Sequence, residues 1–406
     1  MPYEWIANGT ITTATGFLAS GVSCGIKPAG QLDLALVASQ RPCAAAGAFT
    51  TNRFPAAPVL YSRALLAKNP ARVWAVLINS GCANACTGEE GLADARETAT
   101  LAAQALGCPP DGVLVLSTGV IGVRLPMEKL RAGIPLAAQA LAPDGGAAAA
   151  RAIMTTDTQP KACAVRTEIA GQPVTVAGMA KGAGMIHPNL ATLLSVIATD
   201  ASATPAVLQT ILRRAVERSF NAITIDGDTS TNDTLLLLAN GGSGHPPVSD
   251  PQAPEATALA EAVEAVAIRL AQSIVRDGEG ASHFVTITVR GALHDADARR
   301  AAMAVARSSL VKTAIYGGDP NWGRVLCAVG YSGAEVDPAR TSLWFGDLAL
   351  VAGGKPLDYD ESQAAEVLRQ PEVTITVDLG LGAGQATVWT CDLTHKYVDI
   401  NAHYRT

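Results

Sequence analysis

The segment Lys181-Gly182-Ala183-Gly184-Met185-Ile186-His187-Pro188-Asn189-Leu190-Ala191-Thr192 runs straight into the apolar run Leu193-Leu194-Ser195-Val196-Ile197-Ala198. A polar, turn-rich stretch thus ends where a buried strand is expected to begin, which puts a hydroxyl at the mouth of that strand. A Thr held there can attack the carbonyl just before it and cut the chain at Ala191-Thr192. It then becomes a nucleophile whose own free amine is its base. Such an amine has an ordinary pKa of roughly 7.7–8.0, close to working pH. Pro188 restricts His187 and the turn that leads to the junction. Taken alone, Thr192 is also what an ordinary strand start looks like, because β-branched residues are common there. The remainder of the chain has to choose.

With 406 residues, 49% of them hydrophobic, the chain can bury a core large enough for two domains or one large α/β assembly. No apolar stretch reaches membrane-spanning length. The start Met1-Pro2-Tyr3-Glu4-Trp5 has no basic region followed by an apolar one, so a secretion signal is not expected. A net charge of −6 with scattered Lys and Arg argues against a nucleic-acid surface, which needs clustered cations. A small-molecule substrate fits better. Eight cysteines, at 24, 43, 82, 86, 108, 163, 327 and 391, are too dilute for a disulfide scaffold and fit a reducing cytoplasm. Cys82 and Cys86 have no neighbouring His or second Cys pair, so no zinc site is expected.

Two kinds of segment alternate. Residues 72–78, 113–116, 174–177, 193–198, 235–238, 284–289 and 373–377 read as mostly buried strands. Residues 93–106, 206–219 and 255–275 carry one apolar stripe each at helical spacing. The expected class is α/β, with helices packed on layered, mixed sheets. Residues 142–150 read as a helix end or connection and 241–254 as a surface loop. No internal repeat is evident.

Several loops carry chemistry-bearing residues. Leu116-Ser117-Thr118-Gly119 ends a strand with a hydroxyl and a bare backbone N–H, the parts of an oxyanion acceptor, although Thr-Gly at a strand end is also a plain turn. Asn79-Ser80-Gly81-Cys82-Ala83-Asn84-Ala85-Cys86-Thr87-Gly88 reads as a loop able to offer backbone amides, but it does not match a nucleotide phosphate loop. The stretch Phe220 to Thr234 is rich in short oxygen-bearing side chains, yet Gly227 follows Asp226 at once and Leu237 stands twelfth from Asp226, so it is no EF-hand. Side chains capping their own turns explain it more simply. Asp277-Gly278-Glu279-Gly280 ends the long helix, and Gly317 to Arg324 reads as a turn.

Taken in order, these segments resemble the ornithine acetyltransferase, ArgJ-type family of arginine biosynthesis. The resemblance rests on the Asn79 loop, Ser117-Thr118-Gly119, Met154-Thr155-Thr156-Asp157-Thr158, the Lys181 to Thr192 segment, Asp226 to Asp233, Asp277 to Gly280, Gly318-Asp319-Pro320-Asn321-Trp322-Gly323-Arg324, and the end Asn401-Ala402-His403-Tyr404-Arg405-Thr406. It implies a self-processing N-terminal-nucleophile acyltransferase: an α chain of residues 1–191 and a β chain of 192–406, associated as α2β2. It implies further that Thr192 takes acetyl from N2-acetylornithine and passes it to glutamate, with Thr118 and Gly119 lining the oxyanion hole. Thr155, Lys181, Thr192, Glu279, Asn401 and Thr406 fall where the family holds its substrate. No metal or cofactor is implied, and acetyl-CoA enters only as a co-substrate in the bifunctional members. Cys82 and His283 depart from residues common in the family, Asn and Lys. The other readings are a recycling-only transferase, a self-processed Thr amidohydrolase or aminopeptidase, and an uncleaved binding protein.

Overall fold

The structure, a computed structural model, describes residues 3–187 and 193–403. It divides into two compact units: Met1–Met185 with Asn189–Asn221 and Asp228–Ile274, and Ile186–Pro188 with Ala222–Gly227 and Val275–Thr406. The first unit takes in residues on both sides of the Ala191-Thr192 junction. A covalent break there would fall inside a folding unit and not between two.

The first unit is organised by one sixteen-residue strand, Leu34–Phe49. Its first half pairs antiparallel with Phe17–Val22 and Val73–Cys82, and its second half with Thr234–Ala239. The full order is Tyr3–Ile6, Lys161–Ile169, Gln172–Lys181, Leu194–Thr199, Thr234–Ala239, Leu34–Phe49, Val73–Cys82 and Val113–Val120. Between Ala38 and Cys43 the register slips, and the slip spans Pro42, which cannot donate to a ladder. Bulges of this kind let a strand leave one sheet for another.

The two halves therefore face each other. Val37, Ile78 and Leu116 share one core with Met179, Val196 and Leu236. The alternate residues Leu36, Leu77 and Val115 point the other way, onto Ala99, Leu130 and Ile134 of the helices Gly88–Leu106 and Met127–Gln139. Burial on both faces is why these strands are near-continuous apolar runs. The helix Pro254–Arg276 lies so close over Gly178 that a Cβ there would meet Leu270 and Val266 at 2.9 Å.

The second unit is a six-stranded sheet, ordered Lys355–Pro356, Leu348–Ala352, Ser342–Phe345, Glu372–Asp378, Phe284–Ala292 and Gly384–Cys391. Its core joins Val285, Ile287 and Ile375 to Ala298, Ala302 and Val305 of the helix Asp295–Arg307. Among the described residues no helix is long and apolar enough to cross a membrane.

The α/β class and all three helices hold. The helix Pro205–Arg218 buries 207, 208, 211, 212, 215 and 216 and is capped by the Thr204 side chain, which accepts from the Val207 N–H. Residues 142–150 include the start of a helix, Gly146–Ala152. Two readings need correction. Asn79 to Cys82 is not loop but the end of Val73–Cys82, and the strand expected to stop at Leu116 runs on through Thr118 and Gly119 to Val120. Gly and hydroxyl residues read as stops, yet here they are the strands' paired ends.

Candidate active site

Val73–Cys82 and Val113–Val120 run parallel with Ser80 opposite Thr118 and Gly81 opposite Gly119. Both glycines take positive φ, +100° and +132°. A Cβ on Gly119 would lie 2.3 Å from the Gly81 carbonyl carbon, so the two backbones meet at a distance only Gly permits. Thr118 is buried. The Ser117 hydroxyl donates to Asn79 Oδ1 at 2.6 Å, and the Asn79 amide donates to the Cys82 carbonyl at 2.8 Å. The Cys82 thiol reaches the carbonyls of Val123 and Arg124, which gives the departure from Asn its own partners.

The Asn232 amide donates to the carbonyls of Ser117 and Ala83, at 2.8 and 2.7 Å. The next residue, Asp233, accepts the Leu193 N–H on Oδ1 at 3.0 Å. Two consecutive side chains thereby join the end of Val113–Val120, next to Thr118, to the residue that follows Thr192. Ala191 and Thr192 themselves lie outside the described residues. The turn-capping reading of this stretch covered neither bond. A side-chain oxygen that accepts a backbone N–H forty positions away leaves no local sequence pattern.

Lys181 is buried beside a second Lys and one carboxylate. Asp157 accepts from Lys161 Nζ and the Gly182 N–H, each at 2.7 Å, and from the Thr155 N–H at 3.0 Å, with Lys181 Nζ at 4.0 Å. Burial alone would push this carboxyl up, but Lys181, Lys161 and the Gly182 N–H hold it down at about 2. Lys27 donates to the Met154 carbonyl at 2.5 Å and to the Leu32 carbonyl at 3.0 Å. Burial, and then Lys181, lower its pKa against the pull of Asp33 and Asp157. Lys27 and Lys161 were not foreseen as part of a site. Asp157 stood in a quoted motif, without a role.

In the second unit the Asn401 amide donates to Glu279 Oε2 at 2.7 Å, so two predicted site residues touch. Glu279 is buried on a loop that presses against the helix His395–Ala402: the Thr394 hydroxyl donates to the Gly280 carbonyl, and a Cβ on Gly280 would meet the Tyr397 nitrogen at 2.6 Å. Thr406 lies outside the described residues. His283 Nδ1 sits 2.9 Å from Asp392 Oδ2, so the residue found where Lys is common also faces a carboxylate. The Ile186 N–H donates to Asp226 Oδ1 at 2.9 Å, and His187 Nδ1 lies 3.2 Å from the Thr224 hydroxyl. His187 also lines a cavity of about 530 Å³ with Arg299, Arg300 and Arg307. No group of three His, Cys, Asp or Glu among the described residues could hold a metal ion.

The family model for ArgJ matches residues 18–406. The chain belongs to the ArgJ family. An arginine biosynthesis bifunctional protein ArgJ from Symbiobacterium thermophilum is 54% identical over 405 residues, 99% of this chain and 100% of that protein. Its counterpart from Geobacter sulfurreducens is 52% identical, over 96% of this chain and 99% of that protein. A solved ornithine acetyltransferase from Mycobacterium tuberculosis, complexed with ornithine, is 43% identical with a TM-score of 0.43, over 47% of this chain and 100% of that chain.

Two outcomes follow from this geometry in the ArgJ chain. Asp157→Asn leaves Lys161 and Lys181 buried without their carboxylate, so the chain should lose about 3–5 kcal/mol of stability, read as a lower denaturant midpoint. A midpoint equal to that of the parent would show that the cluster carries no such charge. His187 is held at about 4 by burial and then by Arg307. The unfolded chain takes this proton near 6.5 and the folded chain only near 4, so the unfolded state binds more protons between them and stability falls as pH drops through that window. His187→Gln should flatten the fall in Tm between about pH 6.5 and 4, and an unchanged slope would refute the assignment.

Proposed function

We propose that this ArgJ chain cuts itself at Ala191-Thr192 and that Thr192 then carries acetyl from N2-acetylornithine to L-glutamate, yielding ornithine and N-acetylglutamate in arginine biosynthesis. The single observation that carries the reading is the Asn232–Asp233 bridge. It ties the backbone just after Thr192 to the backbone just before Thr118. A nucleophile and an oxyanion acceptor have to be close and fixed, and this bridge is a rigid means to that end.

In the forward half-reaction the Thr192 hydroxyl adds to the acetyl carbonyl while the α-amine takes its proton. Thr118 and Gly119 receive the developing oxyanion, and the amine returns the proton to the departing ornithine nitrogen. Glutamate then attacks the acetyl ester by the reverse sequence. Donor and acceptor share an α-carboxylate, for which Lys181 supplies charge with Thr155 beside it. Ornithine's side-chain ammonium suits Glu279, held by Asn401, and Thr406 belongs to the same expected substrate set. The mature assembly is α2β2, located in the cytoplasm, where eight unpaired cysteines are stable. No cofactor takes part. Acetyl-CoA serves as a second donor, in keeping with relatives called bifunctional.

Initial rates with both substrates varied should give parallel double-reciprocal lines, because ornithine leaves before glutamate reacts. Intersecting lines would rule out the acetyl-Thr192 intermediate. Labelled acetyl passing from acetyl-CoA to glutamate with no acetylornithine present tests the second donor.

A further inference from the structure

In the first unit, the loop between Phe17–Val22 and Leu34–Phe49 is folded around one buried carboxylate. Asp33 accepts the Cys24 N–H on Oδ1 at 2.7 Å, and the Ile26 and Lys27 N–H groups on Oδ2 at 2.6 and 3.0 Å. Its own carbonyl accepts the Ser80 N–H at 2.9 Å, which fixes the loop to the end of Val73–Cys82. The backbone of Lys27 is thereby held in place. Its half-buried side chain crosses Gly81, where an added Cβ would meet Lys27 Cγ at 3.2 Å, and Gly81 lies opposite Gly119.

At the far end, Lys27 Nζ donates to the Leu32 carbonyl at 3.0 Å and to the Met154 carbonyl at 2.5 Å. The Met154 carbonyl and the Thr155 N–H belong to one planar peptide unit. That N–H donates to Asp157 Oδ2 at 3.0 Å, and the same oxygen stands 4.0 Å from Lys181 Nζ. The peptide is gripped at both ends, by Lys27 on its oxygen and by Asp157 on its nitrogen. Its plane cannot turn without losing one of the two bonds, and a bond from a charged donor is stronger than a neutral one. The Ser80 hydroxyl ties the same segment to the same strand end through the Ala152 carbonyl, at 2.6 Å.

We infer that Lys27 is a positioning residue for acetyl transfer: it fixes the Met154–Thr155 peptide against the Gly81–Gly119 strand junction, and so sets where the substrate's α-carboxylate lies relative to the oxyanion acceptor. The inference rests on reading Thr155 and Lys181 as the holders of that carboxylate and Gly119 as part of the acceptor. Lys27 acts through Thr155 and needs no contact with the acetyl group. A misplacement of about 1 Å at such an anchor can cost on the order of 10²-fold in rate. A substrate without the carboxylate does not use the anchor, so its transfer is indifferent to where Thr155 stands.

The test gives the purified mature enzyme two acetyl donors, N2-acetylornithine and N-acetyl-1,4-diaminobutane, which is the same molecule without its carboxylate. In the ping-pong scheme, kcat/KM for the donor reports the first half-reaction alone. The wild type should prefer the acid by roughly 10–100-fold, the range of a hydrogen bond to a charged group. Lys27→Met should lower kcat/KM for the acid by about 10-fold or more and leave the analogue within about twofold of the wild type. Equal losses with both donors would mean general damage, and these, or no loss with either, would overturn the positioning role. Lys181→Met tests the underlying reading separately, because it should abolish the preference for the acid. A wild type with no preference, or a Lys181→Met enzyme that keeps it, would overturn that reading and the role of Lys27 together. If Lys27→Met does not melt cooperatively, Lys27→Gln decides, since its amide still donates to one carbonyl: an unchanged preference there refutes the role.

Discussion

Thr192→Ala is expected to remain a single 41.6 kDa chain on a denaturing gel and to lose acetyl transfer by a factor on the order of 10⁴–10⁶. One substitution removes the attacking oxygen from two reactions at once. Without it the Ala191-Thr192 bond is not cut, so the α-amine that serves as base is never released either. The two losses should therefore be inseparable, and adding back no acyl donor should restore either. Two fragments from this variant, or transfer within tenfold of the parent, would show that Thr192 is not the nucleophile.

Gly119→Ala is expected to lose transfer by a factor of about 10²–10³, the usual cost of a missing oxyanion donor, and to slow self-cleavage alongside. Two costs coincide at this position. The backbone sits at φ +132°, a strained region for any residue with a Cβ, which costs about 1–3 kcal/mol. The added carbon would also stand 2.3 Å from the Gly81 carbonyl carbon and 2.5 Å from the Cys82 nitrogen, so the paired strand ends must part. Gly171→Ala separates the two costs. Gly171 also has positive φ, +74°, but nothing lies within 4 Å of its Cβ position. That variant should lose only about 1 kcal/mol of stability and keep full activity. If Gly119→Ala splits and turns over like Gly171→Ala, the strand junction is not the oxyanion site.

What could be read in advance follows from what is local. Leu235 to Leu238 is apolar on both faces because both faces are covered, and the run announces itself. The helix stripe from Val207 to Val216 is equally plain. Leu34–Phe49 is not, because Gln40, Arg41 and Pro42 interrupt it where it passes from one sheet to the other. Nor is the hairpin from Lys161–Ile169 into Gln172–Lys181, where Ala170 and Gly171 both take positive φ although the first is not Gly. The site divides in the same way. Thr118 and Gly119 stood out as a strand-end pair and gained their role from resemblance, as did Lys181, Glu279 and Asn401, whereas Asp157 and Lys161 meet Lys181 only on folding. Asp157 in a loop and Lys161 at a strand start have no shared pattern. Asp233 looked like any turn carboxylate, because nothing in Thr231-Asn232-Asp233 tells that its acceptor oxygen meets Leu193.

The strands Gln172–Lys181 and Leu194–Thr199 are neighbours in one ladder, with Lys181 directly opposite Leu194. A cut at Ala191-Thr192 would thus sever the link between two strands that stay hydrogen-bonded, and each fragment would keep part of a sheet it cannot complete alone. The uncut chain folds as one molecule, at a rate indifferent to dilution. After the cut, unfolding releases two molecules, and recovery becomes a second-order encounter that slows with every dilution. The Thr192→Ala chain should refold from denaturant at any concentration, while the mature protein does so only when concentrated. The working lifetime of the mature protein is then governed by how slowly it opens, not by how readily it returns.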